Sequence, residues 1–168
     1  MSEPLELIND ALRDVTTTLL QACRERKLML ATAESCTGGL LASALTAIAG
    51  SSDVVERGFV IYSNAAKHEM LGVPMNLIET HGAVSEPVAR ALAEGAIARS
   101  HADIALSITG VAGPGGGSAE KPVGLVHFAT ARRGQATSAH RRVFDGDRDT
   151  VRLAAVAFAL SLIAERLD

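Results

Sequence analysis

Three short apolar runs, Leu28 to Ala33, Phe59 to Tyr62 and Ile104 to Ile108, constrain this chain most. Each is shorter than an ordinary helix, and each reads as a strand buried on both faces. Helical patterns separate them. Leu5, Ile8, Leu12, Val15 and Leu19 recur at steps of three and four, which predicts an amphipathic helix over residues 4–26. A second helix is expected over 37–48. Asn64 is placed to N-cap a short one reaching Leu71, and Ser85-Glu86-Pro87 opens another that runs to Ser100. Residues 72–84 read as a loop-rich connection. After the third strand, Val123–Ala131 and Thr137–Phe144 look like a hairpin around Arg132-Arg133-Gly134-Gln135. A final helix starts at Asp147 or Asp149 and ends near Leu167. Strands alternating with helices, then a hairpin, imply an α/β fold: a three-layer α/β/α sandwich with a mixed, mainly parallel sheet of about five strands, in one domain spanning 1–168.

The core of such a domain must be aliphatic, because the chain has no Trp, one Tyr and four Phe. Its net charge of −3 lacks the basic footprint of a nucleic-acid binder. Arg132, Arg133, Arg141 and Arg142 make a local basic patch, but Asp145, Asp147 and Asp149 follow closely. Two cysteines, Cys23 and Cys36, make no disulfide framework. The opening MSEPLELIND is acidic without a signal-peptide core, and the longest apolar run, Leu153 to Ala164, is too short to span a bilayer. The expected setting is cytoplasmic, with neither membrane nor nucleic acid as partner. The final helix has two apolar stripes: Val151, Ala155, Phe158 and Leu162 on one side, and Leu153, Val156, Leu160, Ile163 and Leu167 on the other. A helix apolar on two sides is buried on two sides. One is expected on the sheet and the other on a second subunit, as in a homodimer.

Candidate chemistry gathers at strand ends. Ser35 follows the first strand, at the carboxyl end where open α/β sheets bind ligands. A helix expected just after it would offer free N–H groups to an anion or to the oxyanion of acyl transfer. Gly38 and Gly39 each cost about 1 kcal/mol in a helix relative to Ala, so something should compensate them. The competing reading makes Ser35 a simple helix cap. Cys36, beside it, is intrinsically the stronger nucleophile. A serine nucleophile needs a base. None of the five histidines sits in a recognisable setting, but Lys67 falls in the first turn of the helix after Asn64, where the dipole disfavours a cation. Acting as a base near neutral pH requires its pKa to fall from about 10.4, at about 4 kcal/mol. A surface lysine is the plainer reading. Tyr62, the lone tyrosine, ends the second strand and could relay a proton or orient Lys67; it could equally be a core-edge residue.

Thr109 to Lys121, after the third strand, is glycine-rich. It is not a Walker loop, since no Gly-Lys-Ser/Thr follows, and a proline breaks any dinucleotide fingerprint. Its backbone N–H groups could still reach a phosphate or an amide, and a flexible connection is the alternative. Cys36, His68 and His81 show no metal-ligand spacing, so neither metal nor cofactor is expected.

The stretches TAESCTGGLLAS, IAGSSDVVERGFVIYSNAAK, HGAVSEPVARALAEGA, SITGVAGPGGGSAEKPVGLVHFA and FDGDRDTVR together resemble the CinA C-terminal domain family, the nicotinamide mononucleotide deamidases, over about residues 32 to 152 in the family's order. The resemblance implies a serine amidohydrolase that converts nicotinamide mononucleotide to the nicotinic acid nucleotide and ammonia, in pyridine-nucleotide recycling. By motif match it implies Ser35 as nucleophile, Lys67 as general base and Tyr62 as third participant. Cys36, Thr37, Gly38, Gly39 and Asn64 would contact substrate, as would Thr109, Gly110, Ala112, Gly113, Gly117 and Ser118 of the glycine-rich loop. Arg148 would meet a phosphate. Two other readings are a non-catalytic nucleotide-binding regulatory module and an amidohydrolase of another small amide. Catalysis by Cys36 is a third.

Overall fold

The computed structural model describes residues 9–168. Five strands form one sheet in the order β2-β1-β3-β4-β5: β1 (Leu30–Glu34), β2 (Val55–Val60), β3 (Ile104–Gly110), β4 (Leu125–Arg132) and β5 (Ser138–Val143). β1 pairs in parallel with β2 and β3, while β4 runs antiparallel to β3 and β5. Four strands therefore point one way and β4 alone is reversed, which is the mixed sheet the sequence led us to expect.

Alternation along the strands sets the two faces. Leu30 on β1 and Ile104, Leu106 and Ile108 on β3 join one core cluster with α1 (Asp10–Glu25), α2 (Leu40–Thr46) and α6 (Arg148–Ala164). The residues between them are small. Ala31, Ala33 and Ala105 face a second cluster built on α3 (Asn64–Leu71), α4 (Met75–His81) and α5 (Glu86–Ala98), and Ala129 and Ala131 meet Ala89 and Ala93 of α5. Small residues on both partners let α5 lie close to the sheet. Gly95 does the same where α5 meets the end of α3: the Leu71 carbonyl occupies the space a β-carbon would need.

Several boundaries depart from expectation. β2 begins at Val55 rather than Phe59, because it is an edge strand whose half-exposed pattern includes Glu56, Arg57 and Gly58. Residues 75–81, expected within a loop, form α4, with Pro74 before it and Gly82 after it. Residues 4–8 of the first expected helix lie outside the described residues. Ser85 does sit at the N-cap of α5, but its hydroxyl donates to the Gly82 carbonyl at 2.8 Å instead of capping. α2 starts only at Leu40, with consequences for the site.

The two-sided burial of α6 is met within one chain. Val156, Leu160, Ile163 and Leu167 share the core cluster with Leu19, Leu20 and Cys23 of α1. α1 thus occupies the side of α6 expected to meet a second subunit, and the stripe no longer argues for a dimer. The basic patch is partly spent on capping: Arg132 donates to the carbonyls of Arg166 and Asp168, and Arg133 to those of Ile97, Ser100 and Ala102. No helix among the described residues is long and apolar enough to cross a membrane.

Candidate active site

The carboxyl ends of β1, β2 and β3 meet at one cavity of about 310 Å³, within the range of small-molecule sites. Register explains the meeting. Glu34 pairs with Val60 on one side and Ile108 on the other, so Ser35 is the first residue beyond the sheet. Its N–H still donates to the Ile108 carbonyl at 2.9 Å, and its side chain is nearly buried. Larger apolar grooves of about 460 and 480 Å³ run along α1 and α6, but apart from Asp14 they hold no ionisable group.

Lys67 reaches Ser35. Its Nζ lies 3.0 Å from Ser35 Oγ, 3.0 Å from the Ile61 carbonyl and 3.1 Å from the Tyr62 carbonyl. Only 1% of Lys67 is exposed, and no carboxylate among the described residues forms an ion pair with it. Burial therefore holds its pKa below the usual lysine range. The two carbonyls can only accept. Each therefore takes an N–H from Nζ, and the nitrogen's remaining position faces the serine hydroxyl.

The cap that aims Lys67 is one residue earlier than expected. Ser63, not Asn64, is the N-cap of α3, and its hydroxyl accepts the Ala66 N–H at 3.0 Å. Lys67 is thus the fourth helical residue, and Asn64, released from capping, lines the cavity. Tyr62 divides its roles differently from expectation. Its main-chain oxygen holds Lys67, while its phenol, on a largely exposed side chain, accepts from Arg148 Nη2 at 3.3 Å. Arg148 Nη1 donates to the Gly113 carbonyl at 2.7 Å, so this side chain ties the glycine-rich loop to the end of β2.

The segment after Ser35 is a turn. Gly38 and Gly39 have φ of 60° and 101°, left-handed backbone that glycine adopts without strain. They lie outside the helix and incur no helical cost; Gly39 is the N-cap of α2. The α2 N–H groups expected to serve an oxyanion are already taken: Leu41 and Ala42 donate to the Glu34 carboxylate at 2.7 and 3.1 Å. Among the described residues, the N–H groups of Cys36 and Thr37 donate to no protein acceptor. Cys36 borders the cavity, yet it belongs to the core cluster, and burial pushes its thiol up to about 12. Little thiolate forms at such a site.

Of the expected residues, Ser35, Cys36, Tyr62, Asn64 and Lys67 line the cavity, together with Thr109, Gly110, Ala112, Gly113 and Arg148. Thr37, Gly38, Gly39, Gly117 and Ser118 do not. The Thr37 hydroxyl turns inward to Glu34 at 2.7 Å, and Ser118 closes a turn by accepting the Lys121 N–H. Sequence reasoning missed Ala83 and Val84, which border the cavity between α4 and α5. It also missed Glu34 and Arg152, which grip the Ser35 turn. Pro74 and Gly82 bracket α4 and could have placed the first pair; no local spacing points to the second. Among the described residues no group of three or more His, Cys, Asp or Glu side chains could hold a metal ion.

The CinA C-terminal domain matches residues 12–167. Nicotinamide-nucleotide amidohydrolase PncC of Escherichia coli K12 is 54% identical over 144 residues, 85% of this chain and 87% of that protein. A CinA-like protein of Anaeromyxobacter dehalogenans is 52% identical over 154 residues, 92% of this chain but 37% of that longer protein. The crystal structure of a competence/damage inducible protein from Agrobacterium tumefaciens superposes with a TM-score of 0.89 at 50% identity, covering 92% of this chain and 94% of that one. The chain belongs to the CinA C-terminal domain family.

Proposed function

We propose that this chain hydrolyses the carboxamide of nicotinamide mononucleotide, giving nicotinic acid mononucleotide and ammonia, with Ser35 as nucleophile and Lys67 as general base, and that it serves pyridine-nucleotide recycling. The observation that carries the mechanism is the 3.0 Å contact between a buried lysine and a serine at a strand end. The substrate is supported by relatives bearing the name nicotinamide-nucleotide amidohydrolase.

Ser35 Oγ bonds to the amide carbon as its proton passes to neutral Lys67, and the carbonyl oxygen becomes an oxyanion. Donors matter most where that charge develops. The Cys36 N–H, at the cavity wall and free of a protein acceptor among the described residues, fills this role in place of the α2 terminus. The C–N bond then breaks as the Lys67 ammonium protonates the departing nitrogen, which leaves as ammonia. Water attacks the acyl ester, giving its proton to Lys67; Oγ takes that proton back and the carboxyl product leaves. Asn64, the β3 end at Thr109 and Gly110, and the loop on to Gly113 contact the ring and its carboxamide. Arg148 meets the phosphate, and the Tyr62 phenol orients Arg148.

Ammonia release from nicotinamide mononucleotide is the test, with Ser35→Ala and Lys67→Ala beside the wild type. Turnover by the wild type that both substitutions abolish is expected. Turnover surviving both rules out the dyad, and binding without any turnover favours a nucleotide-binding module.

A further inference from the structure

The turn that carries Ser35 is gripped from behind by two side chains outside the cavity. Glu34, 1% exposed, sits on the face of β1 opposite the Ala31 and Ala33 side. Its Oε1 accepts the Thr37 hydroxyl and the Leu41 N–H, both at 2.7 Å, and its Oε2 accepts the Ala42 N–H at 3.1 Å. Arg152 comes from α6 and its Nη2 donates to the Thr37 carbonyl at 3.0 Å. That is its one hydrogen bond among the described residues, and its Nε is buried without a partner. The guanidinium is thus committed to a single peptide. The N–H of that same peptide, at Gly38, donates to the Ser35 carbonyl at 3.1 Å. Thr37 is therefore fixed at both its side chain and its main chain, and the second fixing passes directly to Ser35.

We propose that Glu34 and Arg152 are positioning residues for the reaction, clamping Thr37 so that the 35–37 turn presents Ser35 Oγ to Lys67 and the Cys36 N–H to the reacting carbonyl. Neither touches substrate. The need for a clamp follows from the local sequence. Two glycines in left-handed conformation follow Thr37, and α2 begins only at Leu40, so no regular element supports the turn from its carboxyl side. Displacing a catalytic group by about 1 Å costs about a hundredfold in rate, so a turn without intrinsic rigidity needs outside fixing. The inference rests on the Ser35 mechanism above.

The test uses steady-state ammonia release together with the thermal midpoint of each variant. Thr37→Val keeps shape and removes the hydroxyl from Glu34. It is expected to lower kcat and kcat/KM equally, by about a hundredfold. Thr37→Ser, which restores the hydroxyl, should recover most of that rate. Arg152→Met should act in the same direction, and the double variant Thr37→Val/Arg152→Met should lose less than the product of the two single losses, because both act on one turn. A wild-type kcat in Thr37→Val overturns the proposal, whatever its midpoint. So does a rise in KM at unchanged kcat, and so does a Thr37→Ser variant no better than Thr37→Val. Ser35→Ala is measured alongside: activity surviving there would sink the nucleophile assignment, whereas a dead Ser35→Ala with a fully active Thr37→Val sinks the clamp alone.

Discussion

Glu34, the last residue of β1, and Lys67, the fourth residue of α3, are buried to the same depth, each 1% exposed, and the fold treats them in opposite ways. Three donors converge on the Glu34 carboxylate. Lys67 is offered two carbonyls and a hydroxyl, and no counter-charge among the described residues. A buried ionisable group whose partners complete it is an anchor. One whose surroundings favour its neutral form is available for chemistry. Burial thus serves two ends: an acid at the end of β1 holds the start of α2, and α3 delivers a base.

Replacing each residue with an apolar one of similar size breaks the comparison most sharply. Lys67→Met should lower kcat/KM by about 10³-fold, within the usual range for losing a general base. Its stability loss should be smaller than that of Glu34→Leu, since volume is conserved, no charge is left behind, and the two carbonyls that lose a donor are better tolerated than orphaned N–H groups. Glu34→Leu strands two backbone N–H groups and the Thr37 hydroxyl, and should cost about 3 kcal/mol or more in denaturant unfolding. Equal stability losses in the two variants would erase the distinction.

The two should also separate in pH. With its folded pKa below the unfolded value, Lys67 binds its proton more readily in the unfolded chain. Wild-type stability should therefore rise with pH across the window between the depressed folded value and the ordinary one near 10.4, and that contribution should be missing from Lys67→Met. Cys36→Ala should show the smallest effect. The main-chain N–H remains, so the activity loss stays well short of the roughly hundredfold that removing an oxyanion donor costs. Abolished turnover there would return the nucleophile to the thiol.

The parts legible in the sequence were those carried by local pattern. The apolar runs gave β1 and β3, the hairpin gave β4 and β5, and the strand-end positions of Ser35, Tyr62 and Thr109 placed the cavity. What escaped depends on contacts distant in sequence. Glu34 looked like the last residue of a buried strand, and only the fold brings Leu41 and Ala42 onto its carboxylate. Arg152 reaches Thr37 across 115 positions. The second stripe of α6 was rightly read as buried, but periodicity carries no record of what covers it, and α1 does. Ser63 and Asn64 are both good caps, and spacing alone could not separate them.

The central claim is that Lys67 acts as a neutral amine on Ser35, and the pH dependence of kcat/KM for ammonia release tests it most directly. The account predicts activity that rises with pH through a single ionisation well below the ordinary lysine value of about 10.4, and an ionisation absent from the residual activity of Lys67→Met. A limb at the ordinary lysine value, or the same limb in both proteins, would contradict it.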